Sequence, residues 1–166
     1  MQIGMIGLDR MGGSMVSRLL TGGHACVGHD TQVSLVASLA NDGATGADSL
    51  QHMVSQLPAP RVIRLMVLAA VVDRALGDLV PLLDRGDVVV DGGNSCFRDD
   101  VRHGKELQAH GIRYLDVGTV DGVGGLAGLT LDGTARPGPV IRLLDDGREH
   151  QVEVAWHGAS PAGSCP

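Results

Sequence analysis

Short apolar runs alternate along the chain with longer segments whose apolar positions recur every three or four residues. Gln2 to Ile6 reads as a strand. After a glycine turn, Met11 to Leu20 puts Met11, Met15, Val16, Leu19 and Leu20 on one helical face, and Gly22-Gly23 stops the helix. Ala25 to His29 is a second strand ending at Asp30, and Val33 to Leu39 is a helix that closes before Gly43. A short strand at Ala44-Thr45 precedes a helix from Ser49 to Gln56, with Asp48 as its expected cap. Val62 to Leu68 is the most apolar run, as suits a strand covered on both faces. Arg64 interrupts it and points to an edge position. Ala70 to Asp84 is a helix that kinks or restarts at Pro81. Val88 to Val90, Phe97 to His110 and Ile112 to Val117 then read as strand, polar helix and strand.

The alternation is regular to about Thr119. Gly122, Gly124, Gly125 and Gly128 then crowd a stretch without a clear period. Pro139 to Asp146 fits a short helix, with Pro in its first turn and Gly147 past its end. Gln151 to Trp156 alternates weakly like a strand, and Gly158 to Pro166 reads as a disordered tail. The expected division is residues 1–119 as the main αβ unit and residues 120–166 as a degenerate remainder of the same domain.

Strands alternating with helices indicate βαβ units on a parallel sheet. The sharpest local motif is Gly7-Leu8-Asp9-Arg10-Met11-Gly12, directly after a strand and opening a helix. In that context a glycine turn is a dinucleotide fingerprint. The fold class expected is therefore α/β, a Rossmann-type doubly wound, mostly parallel sheet in a single domain. Gly7 permits the tight turn, and Gly12 lets helix and strand approach closely. A middle glycine would normally bring backbone N–H groups to a pyrophosphate, and here that position is Asp9. Two charges ~4 Å apart at an effective dielectric near 20 interact by roughly 4 kcal/mol. Solvent, salt and Arg10 reduce this, so the expected penalty is on the order of 1–3 kcal/mol, roughly ten- to a hundredfold in affinity. Asp30 can accept hydrogen bonds from both ribose hydroxyls and repels a 2′-phosphate, which favours NAD over NADP. The reading left beside weak NAD binding is a turn that keeps its shape without binding.

Composition narrows the remaining classes. A net charge of −6 excludes a general binder of the nucleic-acid backbone. Aromatic residues are 2% of the chain, so the core must come from aliphatic residues and Met. Cys26, Cys96 and Cys165 form no CxxC pair, which fits a reducing compartment. No signal peptide precedes the first strand and no apolar run is long enough for a membrane span, so a cytoplasmic protein without a membrane partner is expected. Asp99 and His103 lie one helical turn apart, but on a polar helix they read as a solvated face. His24, His29, His52 and His110 have no evident partners, and no metal site is predicted. Ser95 has no neighbouring His to activate it.

Further blocks complete the motif set: Leu65-Met66-Val67, Asp91-Gly92-Gly93-Asn94-Ser95, and Tyr114-Leu115-Asp116-Val117-Gly118-Thr119. With Met5-Ile6-Gly7-Leu8 and Arg10-Met11-Gly12, they resemble 6-phosphogluconate dehydrogenase in its NAD-preferring branch, among the β-hydroxyacid dehydrogenases. The resemblance covers roughly the first 120 residues. It implies a dinucleotide site drawn from Gly7, Leu8, Arg10, Met11, Gly12, Asp30, Leu65, Met66 and Val67. It also implies that Asn94 hydrogen-bonds a phosphorylated sugar acid, with Gly122 as a second substrate contact. The implied reaction is hydride transfer from a β-hydroxy acid followed by loss of carbon dioxide, without a metal. Three departures accompany it. Asp9 replaces a glycine. Val120-Asp121-Gly122 stands where the family has Ser-Gly-Gly, so only Gly122 matches. The family's lysine acid/base and His-Asn pair have no counterpart, because the last lysine is Lys105. General acid–base chemistry needs a titratable group within reach of the reacting hydroxyl. No catalytic residue is therefore assigned. These residues alone are expected to bind without turnover, and to expose apolar surface through which copies self-associate.

Overall fold

The computed structural model describes residues 1–93, 97–117, 126–131, 133–135 and 152–156. Contacts divide the chain into two compact units, Met1–Thr119 and Val120–Pro166.

In the first unit strands and helices alternate as β1 (Gln2–Ile6), α1 (Arg10–Thr21), β2 (Ala25–His29), α2 (Val33–Asn41), β3 (Thr45–Ala47) and α3 (Leu50–Ser55). The alternation continues as β4 (Val62–Leu65), α4 (Ala69–Leu79), β5 (Val88–Asp91), α5 (Phe97–Ala109) and β6 (Arg113–Asp116). The six strands form one sheet in the order β3-β2-β1-β4-β5-β6, and every pair is parallel. That order is the doubly wound arrangement, with its topological switch point between β1 and β4.

Two apolar clusters cover the sheet. On one side Ile6, Val27, Ile63, Leu65 and Val89 pack with Met53 of α3, Leu76 of α4 and Leu107 of α5. On the other, Met5 and Cys26 pack with Val16 of α1 and Leu39 of α2. The helix faces follow the expected spacing, except that Met11 is 41% exposed and lies off the buried stripe of α1.

Several boundaries differ for local reasons. The Ser49 side chain caps α3 by accepting the His52 N–H at 3.2 Å, a role assigned above to Asp48. Asp48 instead accepts from Ser49 Oγ and pairs with the His52 ring. β4 ends at Leu65 rather than Leu68, because residues 66–68 turn into α4. The helix before Pro81 does not kink. It stops at Leu79 and restarts as a single 3₁₀ turn, Val80–Leu82, with Pro in its first positions. Arg64 sits on β4 between β1 and β5, so its strand is central and not an edge.

In the second unit β7 (Leu126–Leu131) pairs antiparallel with β8 (Thr134–Ala135) and β9 (Val152–Trp156), in the order β8-β7-β9. β9 matches the weak alternation seen in the sequence. The expected helix over 139–146 and the tail over 158–166 lie outside the described residues. No helix among the described residues is long and apolar enough to cross a membrane.

Candidate functional site

The chain leaves β1 through Gly7, whose φ of +90° is open to glycine and strained for other residues. Its N–H donates to the His29 carbonyl at 3.1 Å, and a Cβ at this position would lie 2.4 Å from the Met66 carbonyl oxygen. The turn is thus pinned to the ends of both β2 and β4. Gly12, in the first turn of α1, makes the closest approach: a Cβ there would sit 1.9 Å from the Gly7 carbonyl oxygen. Asp9 is the N-cap of α1 with φ −64°, so this backbone requires no glycine at that position. Its exposed side chain makes no capping hydrogen bond. Arg10 and Met11 are exposed beside it at the start of the helix.

Asp30 closes the other side of the turn. Its Oδ2 accepts the Leu8 N–H at 2.7 Å, and its Oδ1 accepts the Gln32 N–H at 2.8 Å. One carboxylate thereby joins the glycine turn to the β2–α2 loop. A cleft of about 300 Å³ opens here at the carboxyl edge of the sheet, lined by Gly7, Asp30, Thr31, Val67, Val71 and Arg74 among others. Of the three residues expected along a cofactor at the end of β4, Val67 lines this cleft. Leu65 is fully buried in one core cluster, and Met66 is 7% exposed in the other. The sequence reading missed the wall contributed by α4, formed by Val71, Arg74, Ala75 and Asp78. The signal was present as a three- and four-residue stripe directly after a strand end that faces a glycine turn.

The next strand end carries the Asp91-Gly92-Gly93 turn. Asp91 is 1% exposed; its Oδ1 accepts the Gly93 N–H at 2.8 Å and its Oδ2 accepts the Tyr114 hydroxyl at 3.0 Å. Arg64 reaches across to this turn, and a Cβ on Gly92 would lie 2.7 Å from its terminal nitrogen. Its Nε lies 3.2 Å from the Met66 sulfur. Burial lowers the Arg64 pKa, and the neighbouring Asp91 charge opposes that shift. The space left by a glycine at position 92 and the Asp91 charge beside it accommodate a cation in a central strand. Asn94 and Gly122 lie outside the described residues.

His103 corrects another expectation. It is 2% exposed, not part of a solvated face, and its Nε2 lies 2.5 Å from Asp73 Oδ1 on α4 rather than on Asp99. Arg102 joins the same carboxylate at 2.7 Å. His29 also has a partner, the Ala47 carbonyl at 3.1 Å. Among the described residues no group of three or more His, Cys, Asp or Glu could hold a metal ion.

With this geometry in place, comparison with known proteins is decisive. A family model for the NAD binding domain of 6-phosphogluconate dehydrogenase matches residues 2–132. The chain belongs to the 6-phosphogluconate dehydrogenase family. The NAD(+)-dependent, decarboxylating 6-phosphogluconate dehydrogenase of Haloferax volcanii is 47% identical over 126 residues, covering 75% of this chain and 41% of the relative. The decarboxylating 6-phosphogluconate dehydrogenase of Homo sapiens is 40% identical over 175 residues, covering 97% of this chain and 36% of the relative. The solved 6-phosphogluconate dehydrogenase of Plasmodium falciparum superposes with a TM-score of 0.66 at 22% identity, over 71% of this chain and 27% of that one. At that identity the likeness shows the fold alone. The chain thus spans less than half the length of each of these 6-phosphogluconate dehydrogenases.

Proposed function

We propose that these residues bind NAD in the cleft at the β1–β4 switch point, weakly because of Asp9, and that alone they do not oxidise 6-phosphogluconate. The observation that carries this reading is the position of Asp30. Its carboxylate stands on the cleft wall and is tied to the glycine turn through the Leu8 N–H. Each carboxylate oxygen has two lone pairs, so acceptor capacity remains for ribose hydroxyls. The same charge repels a 2′-phosphate, which supports NAD over NADP. Arg74 on the opposite wall is 88% exposed at its side chain and 4.0 Å from Asp78, so it offsets that repulsion weakly. NAD held in this cleft would supply the hydride acceptor for the family reaction, the oxidation of a sugar acid with loss of carbon dioxide. Asn94 and Gly122 are the proposed contacts to that substrate. Within these 166 residues no lysine follows Lys105, so the family's lysine acid/base has no counterpart among them.

Calorimetric titration tests the binding half. NAD should bind more tightly than NADP, and Asp9→Gly should raise NAD affinity by about ten- to a hundredfold. An NADP preference removes the role given to Asp30, and an unchanged affinity in Asp9→Gly removes the pyrophosphate assignment. Steady formation of NADH from NAD and 6-phosphogluconate by the isolated 166 residues would overturn the proposed lack of turnover.

A further inference from the structure

Tyr114 has one hydroxyl hydrogen, yet its oxygen lies 3.0 Å from Asp91 Oδ2 and 3.1 Å from Asp100 Oδ1. One hydrogen does not satisfy both carboxylates. With both ionised, one contact would oppose lone pair to lone pair in an interior where Asp91 is 1% and Asp100 7% exposed. A buried polar contact of that kind is costly, and a proton on one carboxyl removes the conflict.

The surroundings say which carboxyl carries it. Asp91, on β5, already accepts the Gly93 N–H and has the Arg64 guanidinium of β4 against the adjoining Gly92. A donor and a cation already face this carboxyl, so it stands at the accepting end of the chain. Asp100, on α5, is faced by carboxylates: Asp99 on its own helix, Asp91 on β5, and Asp116 on β6. His103, one turn along α5 and edge-on to the Tyr114 ring, is engaged by Asp73 of α4.

We propose that Asp100, Tyr114 and Asp91 form one directed hydrogen-bonded chain that seats the Gly92–Gly93 turn. In it a protonated Asp100 donates to Tyr114, and Tyr114 donates to Asp91. Asp100 and Tyr114 are then positioning residues, because they reach the turn only through Asp91. Burial, with lesser repulsion from Asp91 and Asp99, outweighs the lowering by the Tyr114 contact and the His103 charge and holds the Asp100 carboxyl above the ordinary range, in keeping with this assignment. As pH rises and Asp100 loses its proton, the first link fails, the Tyr114 hydroxyl is shared between two anions, and the turn loosens. Asn94 follows this turn directly in sequence, so a consequence for substrate placement rests on the reading above; the chain of hydrogen bonds itself does not.

Carbon- and nitrogen-detected NMR of the whole chain tests it without cofactor. The Asp100 carboxyl carbon should titrate above the ordinary aspartate range, and the Gly93 amide should show a step at the same midpoint. Asp100→Asn keeps a donor to Tyr114, so it should hold the Gly93 amide at its low-pH position throughout. In Tyr114→Phe the Asp100 carboxyl should still titrate, at a midpoint moved by loss of the first link, and the step at Gly93 should disappear. The proposal fails if Asp100 is ionised at or below the ordinary range, or if the Gly93 step survives unchanged in Tyr114→Phe. The wild-type carboxyl titration decides even if a variant does not fold, and NAD titration of the same sample decides the cofactor reading separately.

Discussion

Gly12 and Gly77 both lie inside helices, and the same substitution should act on them in opposite directions. A Cβ at Gly12 would meet the Gly7 carbonyl oxygen at 1.9 Å, backbone against backbone, so α1 itself must move. Overpacking of that kind costs about 1–3 kcal/mol, and Gly12→Ala should sit at the upper end and displace the glycine turn. At Gly77, in α4, nothing lies within 4 Å of the added atom. Gly77→Ala should therefore gain about 0.5–1 kcal/mol from the lower entropy cost of alanine in a helix. Urea midpoints of the two variants against wild type measure both signs. The demand at Gly12 was legible in the sequence because turn and helix start are contiguous and their chemistry is local. Arg64 was not legible. Its guanidinium fills the space that a side chain at Gly92 would take and lies beside the Asp91 charge, and an isolated cation in an apolar run carries no record of either neighbour.

At the scale of elements, a buried carboxylate joins the starts of β4 and β5. Asp87 is 1% exposed and accepts the Arg61 N–H at 2.7 Å, the Asp84 N–H at 3.0 Å and the Arg61 guanidinium at 2.9 Å. Arg61 keeps its pairing with Asp84 at 2.8 Å, but the Arg61 and Asp84 N–H groups lose their acceptor, and Asp87→Ala should cost about 1–3 kcal/mol for each. The pH dependence follows from the same contacts. Burial pushes the Asp87 carboxyl up, but hydrogen bonds from Arg61 and Asp84 outweigh it and hold the carboxyl below its ordinary value of 3.8. The native state then binds fewer protons than the unfolded chain. This stability is complete above the unfolded value and is lost as pH falls through the folded one. Urea midpoints measured from neutral pH into acid should fall in wild type, and Asp87→Ala should flatten that limb. Asp100 has the opposite sign: its carboxyl is raised, so its share is present in acid and fades as pH climbs from 3.8 through the folded value. The sequence shows the strands these residues begin, but not the residues' roles. Arg61 and Asp87 are 26 positions apart, and the contact exists only once β4 and β5 are paired. The cap of α3 was misassigned by one residue for a related reason: Asp48 and Ser49 are both good caps, and only the backbone angle at Ser49 decides between them.

At the scale of the molecule, the alternation of strands and helices was enough to foresee a parallel sheet, because parallel strands need crossovers of about a dozen residues or more. It was not enough to give the order β3-β2-β1-β4-β5-β6, which depends on where the chain returns after β3 and crosses to the far side of β1. That reversal places the cleft, and the cleft in turn bears on which part of the chain binds. Its lining runs from Ile6 to Asp78, and both core clusters lie between Met5 and Ile112, with Tyr114 packed against one of them. All of these residues fall within the Met1–Thr119 unit. If binding belongs to that unit, residues 1–119 expressed alone should unfold in one cooperative transition and bind NAD within about twofold of the whole chain, a difference of roughly 0.4 kcal/mol. Denaturant unfolding and calorimetry on the two polypeptides make the comparison. Cooperative unfolding with a loss of affinity of about tenfold or more would show that residues 120–166 contribute to the site. Failure to unfold cooperatively would show that those residues belong to the same folding unit. Either result would undo the division at residue 119, and neither would disturb the parallel sheet on which the cleft is built.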